Sequence, residues 1–144
     1  MITFEELNRQ NDNITQLSNI LARLIQDRST CDNPVVSELF FRYRDEVKQH
    51  LDLEDKHIYA DLLGSDDHEV NKTVKLFMSG SAEIKKIFDR YLRSWCKKGQ
   101  MNIGDHEKFV AETNEMFSLV LKRVQNEVEH LYPMIRKVES SVVS

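Results

Sequence analysis

Apolar residues recur at steps of three and four positions along four stretches of the chain. These stretches run from Phe4 to Leu24, from Val36 to Leu62, from Val70 to Trp95 and from Phe109 to Val138. Such spacing places the apolar side chains on one face of an α-helix. Three short breaks separate the stretches, and short connections make neighbouring helices antiparallel. The pattern therefore predicts an all-α fold, an up-down-up-down four-helix bundle.

The breaks contain residues that typically end or begin helices. They lie at residues 29–34, 64–67 and 97–105. Asn33 is a favourable N-cap, and Pro34 then occupies the first helical position. Gly64 is expected to end the second helix, with Ser65 as the N-cap of the third. Thr3, followed three residues later by a glutamate, predicts a capping box at the start of the first helix.

Length and composition agree with a single helical domain over residues 1–144. A chain of 144 residues is long enough to bury a core. It contains only four Gly and two Pro, too few for the frequent turns of a β-sandwich or barrel. It also lacks a glycine-rich phosphate loop, which excludes a Rossmann or P-loop nucleotide-binding protein.

Charge and hydropathy exclude several kinds of partner. The 20 basic and 24 acidic residues give a net charge of −4 without a basic stripe, so we expect no nucleic-acid partner. No apolar run approaches the roughly 18 residues of a membrane span, and the first residues do not resemble a signal peptide. Cys31 and Cys96 form no motif, so we expect two reduced thiols in a cytoplasmic protein.

Each apolar stripe is interrupted once by a polar residue. The four residues are Asn11, Glu54, Ser81 and Glu127. With a rise of about 1.5 Å per residue, counting from the connections places them within one to two turns of one another along the bundle. Two buried carboxylates without partners would be costly. We therefore expect a polar layer in the core, compensated by a metal pair, by a buried cation such as arginine, or by water.

A short repeat marks the second and fourth helices. Residues 54–59 and 127–132 share the pattern Glu-x-x-His-[Ile/Leu]-Tyr, which places the two glutamates at a similar height on diagonal helices. Di-iron carboxylate bundles use Glu-x-x-His pairs on opposing helices. On a helical wheel His57 and His130 lie near the edge of the apolar face. They are therefore either boundary residues or additional metal ligands.

The segment His-Leu-Asp-Leu-Glu-Asp-Lys-His-Ile-Tyr, from His50 to Tyr59, resembles the hemerythrin family, also called HHE cation-binding domains. The segment Glu-Val-Glu-His-Leu-Tyr-Pro, which ends at Pro133, resembles the second half of the family pattern. The resemblance covers nearly the whole chain and implies a hemerythrin-like bundle. The family binds two non-heme irons through five histidines and two bridging carboxylates. By this resemblance His50, Glu54 and Glu127 are the ligands of any bound metal.

Only one of the five histidine positions implied by this resemblance, His50, holds a histidine. Asn11 stands at the first-helix position, and Ser81 stands where the third helix needs a histidine. Arg123 stands four residues before Glu127. Asparagine and serine are weak iron ligands, and arginine is a permanent cation that cannot ligate. We hypothesise that Arg123 replaces the metal and bridges both glutamates, with Asn11 and His50 completing the hydrogen bonds. The alternative is that Arg123 extends from the bundle into solvent.

These observations leave three functions open. The first is a non-enzymatic binding or regulatory protein with a possible protein partner and no cofactor, similar to metal-free bundles that act as anti-sigma regulators. The second is a non-heme iron protein that binds or senses O2, NO or redox state through an altered His/carboxylate ligand set. The third is an enzyme that uses the carboxylate pair for acid–base chemistry, which no nucleophile–base pair supports. We favour the first, and the oligomeric state stays open.

Overall fold

The computed structural model describes the backbone of residues 3–143 and the side chains of residues 3–138. Four long helical segments pack side by side, which confirms the predicted all-α bundle. The first is α1 (Phe4–Leu24), followed by the short helix α2 (Arg28–Cys31). The second consists of α3 (Pro34–Glu54), a π-helical turn (Asp55–Tyr59) and α4 (Ala60–Leu62). The third is α5 (His68–Trp95), followed by strands β1 (Cys96–Lys97) and β2 (Gln100–Met101). The fourth consists of α6 (His106–Asn126), a second π-helical turn (Glu127–Leu131) and α7 (Tyr132–Val143).

The helix starts follow local capping chemistry. Thr3 accepts the backbone N–H three residues further on at 3.1 Å, and Asn33 accepts the one two residues further on at 2.9 Å. Both predicted caps are therefore present. The third long helix begins later than expected, because Asp67 rather than Ser65 is its N-cap. The Ser65 hydroxyl instead accepts the backbone N–H of Asp67 at 3.2 Å, so it shapes the turn before the helix.

Two of the breaks contain short regular elements that periodicity did not indicate. Asp27 caps α2 by accepting the backbone N–H of Ser29 at 3.1 Å. Strands β1 and β2 form an antiparallel hairpin whose turn residues, Lys98 and Gly99, have φ angles of 53° and 74°. Positive φ at both central positions is typical of the tight turns that match the twist of a hairpin, and glycine adopts it without steric cost.

Two apolar clusters make up the core. The larger lies toward the hairpin end and includes Leu21, Phe40, Phe88 and Phe109. The smaller lies toward the other end and includes Leu7, Val74, Ile58 and Leu131. In every long segment the residues of one cluster are separated along the chain from those of the other by a polar position. This division places the candidate site inside the bundle rather than at its surface.

The thiols and the helix hydropathy bear on the remaining sequence expectations. Cys31 is buried, Cys96 is half-buried, and both are free thiols. Within residues 3–143 no helix combines the length and the apolar character needed to cross a membrane.

Candidate functional site

A layer of six polar side chains separates the two apolar clusters. They are Asn11, His50, Glu54, Ser81, Arg123 and Glu127, none of which is more than 8% exposed. Each of the four long segments contributes at least one of them. Both glutamates have no exposed surface at all. The structure therefore brings the polar interruptions of the four stripes, together with His50 and Arg123, into one buried layer.

The two π-helical turns determine which parts of the repeat enter this layer. Each turn begins at or next to a buried glutamate, Glu54 or Glu127. In an α-helix, residues five apart point about 140° away from each other. The π turn is wider and closes with a hydrogen bond across five residues, as from the Tyr132 N–H to the Glu127 carbonyl. Tyr59 and Tyr132 are therefore buried with the glutamate five residues before them.

Glu127 is the best-partnered acid of the layer. His50 Nε2 lies 2.8 Å from its Oε1, and Arg123 Nε donates to its Oε2 at 2.8 Å. The hydroxyl of Tyr132 donates to Oε1 at 3.2 Å. Two of these three partners come from the same helical segment as Glu127, and His50 comes from α3. The carboxylate thus ties the fourth segment to the second across the core.

Arg123 points into the core rather than to solvent. Besides its bond to Glu127, Nη1 donates to the carbonyl of Phe77 at 3.0 Å, and Nη2 donates to the Tyr59 hydroxyl. Nη2 lies 3.9 Å from Glu54 Oε1, close enough for an ion pair but beyond hydrogen-bond distance. The guanidinium therefore faces both glutamates, as hypothesised, but of the two only Glu127 accepts a hydrogen bond from it.

A glycine on α5 makes room for this arginine. A Cβ atom added to Gly80 would lie 3.0 Å from Arg123 Nη1, closer than most carbon contacts in proteins. The guanidinium carbon also lies 4.9 Å from the centre of the Phe77 ring, within cation–π range. The third helical segment thus accommodates the cation through a missing side chain, a backbone carbonyl and an aromatic face.

The two glutamates differ sharply in their proton affinity. Burial and the negative charge of Glu127 raise the pKa of Glu54 well above its ordinary value. Among the described residues, no side chain other than Glu127 forms a hydrogen bond with either of its oxygens. Burial works in the same direction on Glu127, but the hydrogen bond from His50, the contact with Glu54 and the Arg123 charge outweigh it and lower the pKa of Glu127 to about 2. Of the pair, Glu54 is therefore the acid that holds its proton to the higher pH, and Glu127 is the acid that ionises first.

His50 connects the glutamates to α1. Its Nδ1 lies 2.7 Å from Gln10 Oε1, an acceptor that requires a proton on Nδ1. Its Nε2 lies 2.8 Å from Glu127 and 3.5 Å from Glu54. With that proton on Nδ1, a hydrogen bond from Nε2 to the Glu127 carboxylate needs a second ring proton, so the imidazolium form makes this bond. Gln10 therefore fixes the orientation in which His50 meets both acids.

Asn11 and Ser81 take part less directly than expected. Asn11 Nδ2 donates to the Tyr132 hydroxyl at 2.8 Å, and its Oδ1 has no partner among the described residues. It therefore supports the tyrosine rather than completing the bonds of the arginine, which corrects that part of the hypothesis. Ser81 Oγ lies 3.3 Å from Asp55, whose carboxylate also accepts from Lys85. Ser81 is thus turned toward the edge of the layer.

Comparison with known families identifies the bundle. The family model described as the hemerythrin HHE cation-binding domain matches residues 3–135. The chain belongs to the hemerythrin family of HHE cation-binding domains. Comparisons with curated proteins and with solved structures found no match. The match extends over all four helical segments and includes every residue of the polar layer.

Three potential metal ligands of this HHE domain converge. One donor atom each from His50, Glu54 and Glu127 lies within 4.8 Å of the others. In the part of the chain that the structure describes, no other group of three histidine, cysteine or acidic side chains comes as close together. These are the three residues that the family resemblance of the sequence implies as ligands of any bound metal. Their carboxylate and imidazole donors suit iron and other divalent transition metals.

His57 and His130 do not join this group. Both side chains are exposed, and His130 lies 3.9 Å from Glu129 on the surface. In an α-helix a histidine three residues after a glutamate would lie on nearly the same face, which is why both were considered as additional ligands. The π turns begin at Glu127 and directly after Glu54, so each histidine lies inside a π turn, and the changed winding directs it outward.

Three residues of the site were not predicted from the sequence. Tyr59 and Tyr132 contact the arginine and the ionised glutamate, and Gln10 orients His50. The tyrosines did leave a signal, because both repeats end in tyrosine at the same distance from the glutamate. The glutamine left none, since it is one of many polar residues beside an apolar stripe.

Proposed function

We propose that this HHE domain is a non-enzymatic binding or regulatory protein in which Arg123 has replaced the di-iron centre. One observation carries the proposal: a buried guanidinium, hydrogen-bonded to Glu127 at 2.8 Å, faces the two carboxylates that the resemblance assigns to the metal. The arginine supplies positive charge where the irons would supply it. Arg123 then neutralises one of the two carboxylates, and a proton held on Glu54 neutralises the other.

The donor set supports the same proposal. Arginine cannot ligate a metal and repels a nearby cation. Asn11 binds Tyr132 and Ser81 faces Asp55, so neither presents a strong donor to the layer. Three ligand atoms do not satisfy two irons, each of which needs several strong donors. The residues present therefore do not fit a di-iron centre while Arg123 occupies this position.

The proposal that the protein is not an enzyme rests on the burial of its acid and base groups, which a substrate cannot reach. A catalytic acid or base must reach a proton of the substrate within hydrogen-bond distance. Glu54 and Glu127 are fully buried, and His50 is only 2% exposed. The groups with the most altered proton affinity are thus shielded from any substrate. We accordingly assign the protein a role in binding, and the two free cysteines support a cytoplasmic location.

A second candidate is a non-heme iron protein with an altered ligand set, which binds or senses O2, NO or redox state. It is favoured by the unpartnered oxygens of Glu54 and by the convergence of three ligand atoms within 4.8 Å. The contact of His50 Nδ1 with Gln10 also matches the way in which metal-binding histidines are oriented by a neighbouring acceptor. This candidate requires Arg123 to leave its present position.

Metal content after anaerobic reconstitution with ferrous iron separates the two candidates. We expect the wild-type protein to retain no more iron than a Glu54→Ala, Glu127→Ala double variant. Arg123→His removes the cation and adds a nitrogen donor, so it should raise iron retention. Lys122→His is the matched control on the exposed neighbouring position. Stoichiometric iron in the wild type, lost in the double variant, would establish the second candidate. If Arg123→His retains no more iron than the wild type after the same reconstitution, then arginine is not what excludes the metal.

A further inference from the structure

A groove of about 650 Å³ runs between α5 and the fourth helical segment, outside the polar layer. Its lining is mainly apolar, with Phe77, Ile84, Ile87 and Leu119 along the floor. Leu76 stands at its side and is 67% exposed, the largest exposure among the large apolar side chains of the described residues. A volume of this size matches small-molecule sites, which combine an apolar lining with a few polar groups.

The polar groups of the groove are unevenly distributed. Lys122, Arg123 and His130 line the wall formed by the fourth segment, whereas Glu83 is the only acidic residue of the lining and belongs to α5. Within the described residues Lys122 has no ion-pair partner, so its ammonium group is free to meet a ligand. One wall of the groove therefore presents the unpaired positive charge of Lys122 beside an apolar floor.

Arg123 offers a hydrogen-bond donor on the same wall. Its Nη1 carries two N–H groups, and the structure supplies an acceptor for one of them, the Phe77 carbonyl. Gly80 lies beside Nη1 and also lines the groove. Because glycine has no Cβ, no side chain at this position separates the guanidinium from the groove. A ligand oxygen could approach Nη1 there without disturbing the bond between Arg123 and Glu127.

We propose that this groove binds an amphipathic organic anion, a monocarboxylate with an apolar chain. The carboxylate would meet Lys122 and the second Nη1 N–H of Arg123, and the chain would lie on Phe77 and Leu119 beside Leu76. Guanidinium and ammonium groups both favour carboxylates. The proposal gives a ligand class to the binding role proposed above, and it rests on that role because Arg123 must stay where it is.

The probe for this proposal is decanoate, titrated into metal-free protein below its micelle-forming concentration. Calorimetry gives the affinity, and backbone amide NMR shifts locate the site. We expect one saturable site, with the largest shifts on α5 and α6 around the groove. Decylammonium has the same chain and the opposite charge, and should bind at least tenfold more weakly. Butyrate keeps the carboxylate but loses most of the chain, and should also bind at least tenfold more weakly.

Surface variants with matched controls test each part of the groove. Lys122→Glu should weaken decanoate binding about threefold to tenfold, the size expected for reversing an exposed charge. Lys48→Glu, in a different groove lined by α3 and α5, should leave the affinity unchanged. Leu76→Asn should weaken binding, while Val35→Asn, an equivalent change at an exposed valine on α3, should not. Glu83→Gln should strengthen binding about twofold, because it removes the acidic group from the lining.

Several outcomes would overturn the proposal. One is the absence of saturable decanoate binding. Others are equal affinity for decanoate and decylammonium, shifts centred away from the groove, or equal effects of Lys122→Glu and its control. Iron measured in the same samples keeps the two proposals apart. Failure to bind decanoate in an iron-free protein overturns the ligand site and leaves the metal-free bundle intact, whereas bound iron overturns the proposed function itself.

Discussion

The two copies of the Glu-x-x-His-[Ile/Leu]-Tyr repeat share a sequence pattern and a π-helical turn, but the pKa values of their glutamates shift in opposite directions. Residues 54–59 contain a fully buried carboxyl group, that of Glu54. Among the described residues, no side chain other than Glu127 forms a hydrogen bond with its oxygens. Residues 127–132 contain an equally buried carboxylate with three hydrogen-bonding partners. Equal burial thus coexists with opposite shifts in pKa.

The residue one helical turn earlier explains the difference. Arg123 precedes Glu127 by four positions and donates to it directly. His50 precedes Glu54 by four positions, yet its Nε2 lies nearer to Glu127, at 2.8 Å, than to Glu54, at 3.5 Å. Both nitrogen donors therefore stabilise negative charge on the same glutamate. The lesson is that a repeated motif sets the positions of two acids, while its neighbours decide which acid ionises.

The largest expected effect comes from breaking the charged half of this comparison. Glu127→Gln removes the carboxylate that accepts a hydrogen bond from Arg123 and leaves only the Glu54 carboxyl, 3.9 Å away. It should lower the free energy of unfolding by about 3–5 kcal/mol. Glu54→Gln replaces the carboxyl group of raised pKa by a neutral group of similar shape, and should change the free energy of unfolding by less than about 1 kcal/mol. Urea unfolding followed by circular dichroism measures both. Equal losses in the two variants would contradict the assignment of charge.

The pH dependence of stability should show the two glutamates acting in opposite directions. The folded-state pKa of Glu127 is about 2, below its ordinary 4.5, so its contribution is complete above pH 4.5 and is lost as pH falls toward 2. This loss amounts to about 3 kcal/mol. The folded-state pKa of Glu54 is raised, so its contribution is complete below pH 4.5 and is lost as pH rises through the folded-state value.

Urea unfolding over a pH series separates the two contributions. Glu127→Gln should flatten the acid limb of the stability curve, and Glu54→Gln should flatten the decline on the alkaline side of pH 4.5. A curve that is flattened on the acid limb by Glu54→Gln instead would reverse the assignment of the two protonation states.

The tyrosines sharpen the comparison with a smaller effect. Tyr132 donates to Glu127 and accepts from Asn11, so Tyr132→Phe removes two hydrogen bonds and should cost about 2 kcal/mol. Tyr59 accepts from Arg123, and Tyr59→Phe should cost about 1 kcal/mol. Thermal and urea unfolding of the two variants test this order. A larger loss for Tyr59→Phe would place the more important network on the side of Glu54.

The histidines of the repeat should have the smallest effect. His57→Ala and His130→Ala change exposed side chains outside the polar layer, and each should alter the free energy of unfolding by less than about 0.5 kcal/mol. Neither should change iron retention after anaerobic reconstitution. His50→Ala is the contrasting variant, because it removes a buried partner of Glu127. A loss of stability in His57→Ala or His130→Ala as large as that in His50→Ala would return these residues to the site.

The helices, their N-caps and the polar positions of the layer could be predicted from the sequence, because residues close together in the chain determine them. Apolar spacing of three and four residues predicts the four helices, and side chains such as Thr3 and Asn33 cap their starts because the acceptor lies within three residues of the donor. The single polar interruption in each stripe marks the layer, since a position on the apolar face is buried whatever its partner. For the same reason Asn11, Glu54, Ser81 and Glu127 could be named from sequence.

Only the tertiary structure decided which side chains complete that layer and which hydrogen bonds they form. The π turns direct Tyr59 and Tyr132 into the layer in place of the expected histidines. The helical period does not encode this exchange, because it depends on the charged partner that each tyrosine meets in the folded bundle. The choice of ionised glutamate depends on His50 reaching across from α3, and the place of Arg123 depends on the space left by Gly80 on α5. Contacts between segments far apart in sequence set these features, so the pattern of a single helix could indicate a buried polar site but could not say what fills it.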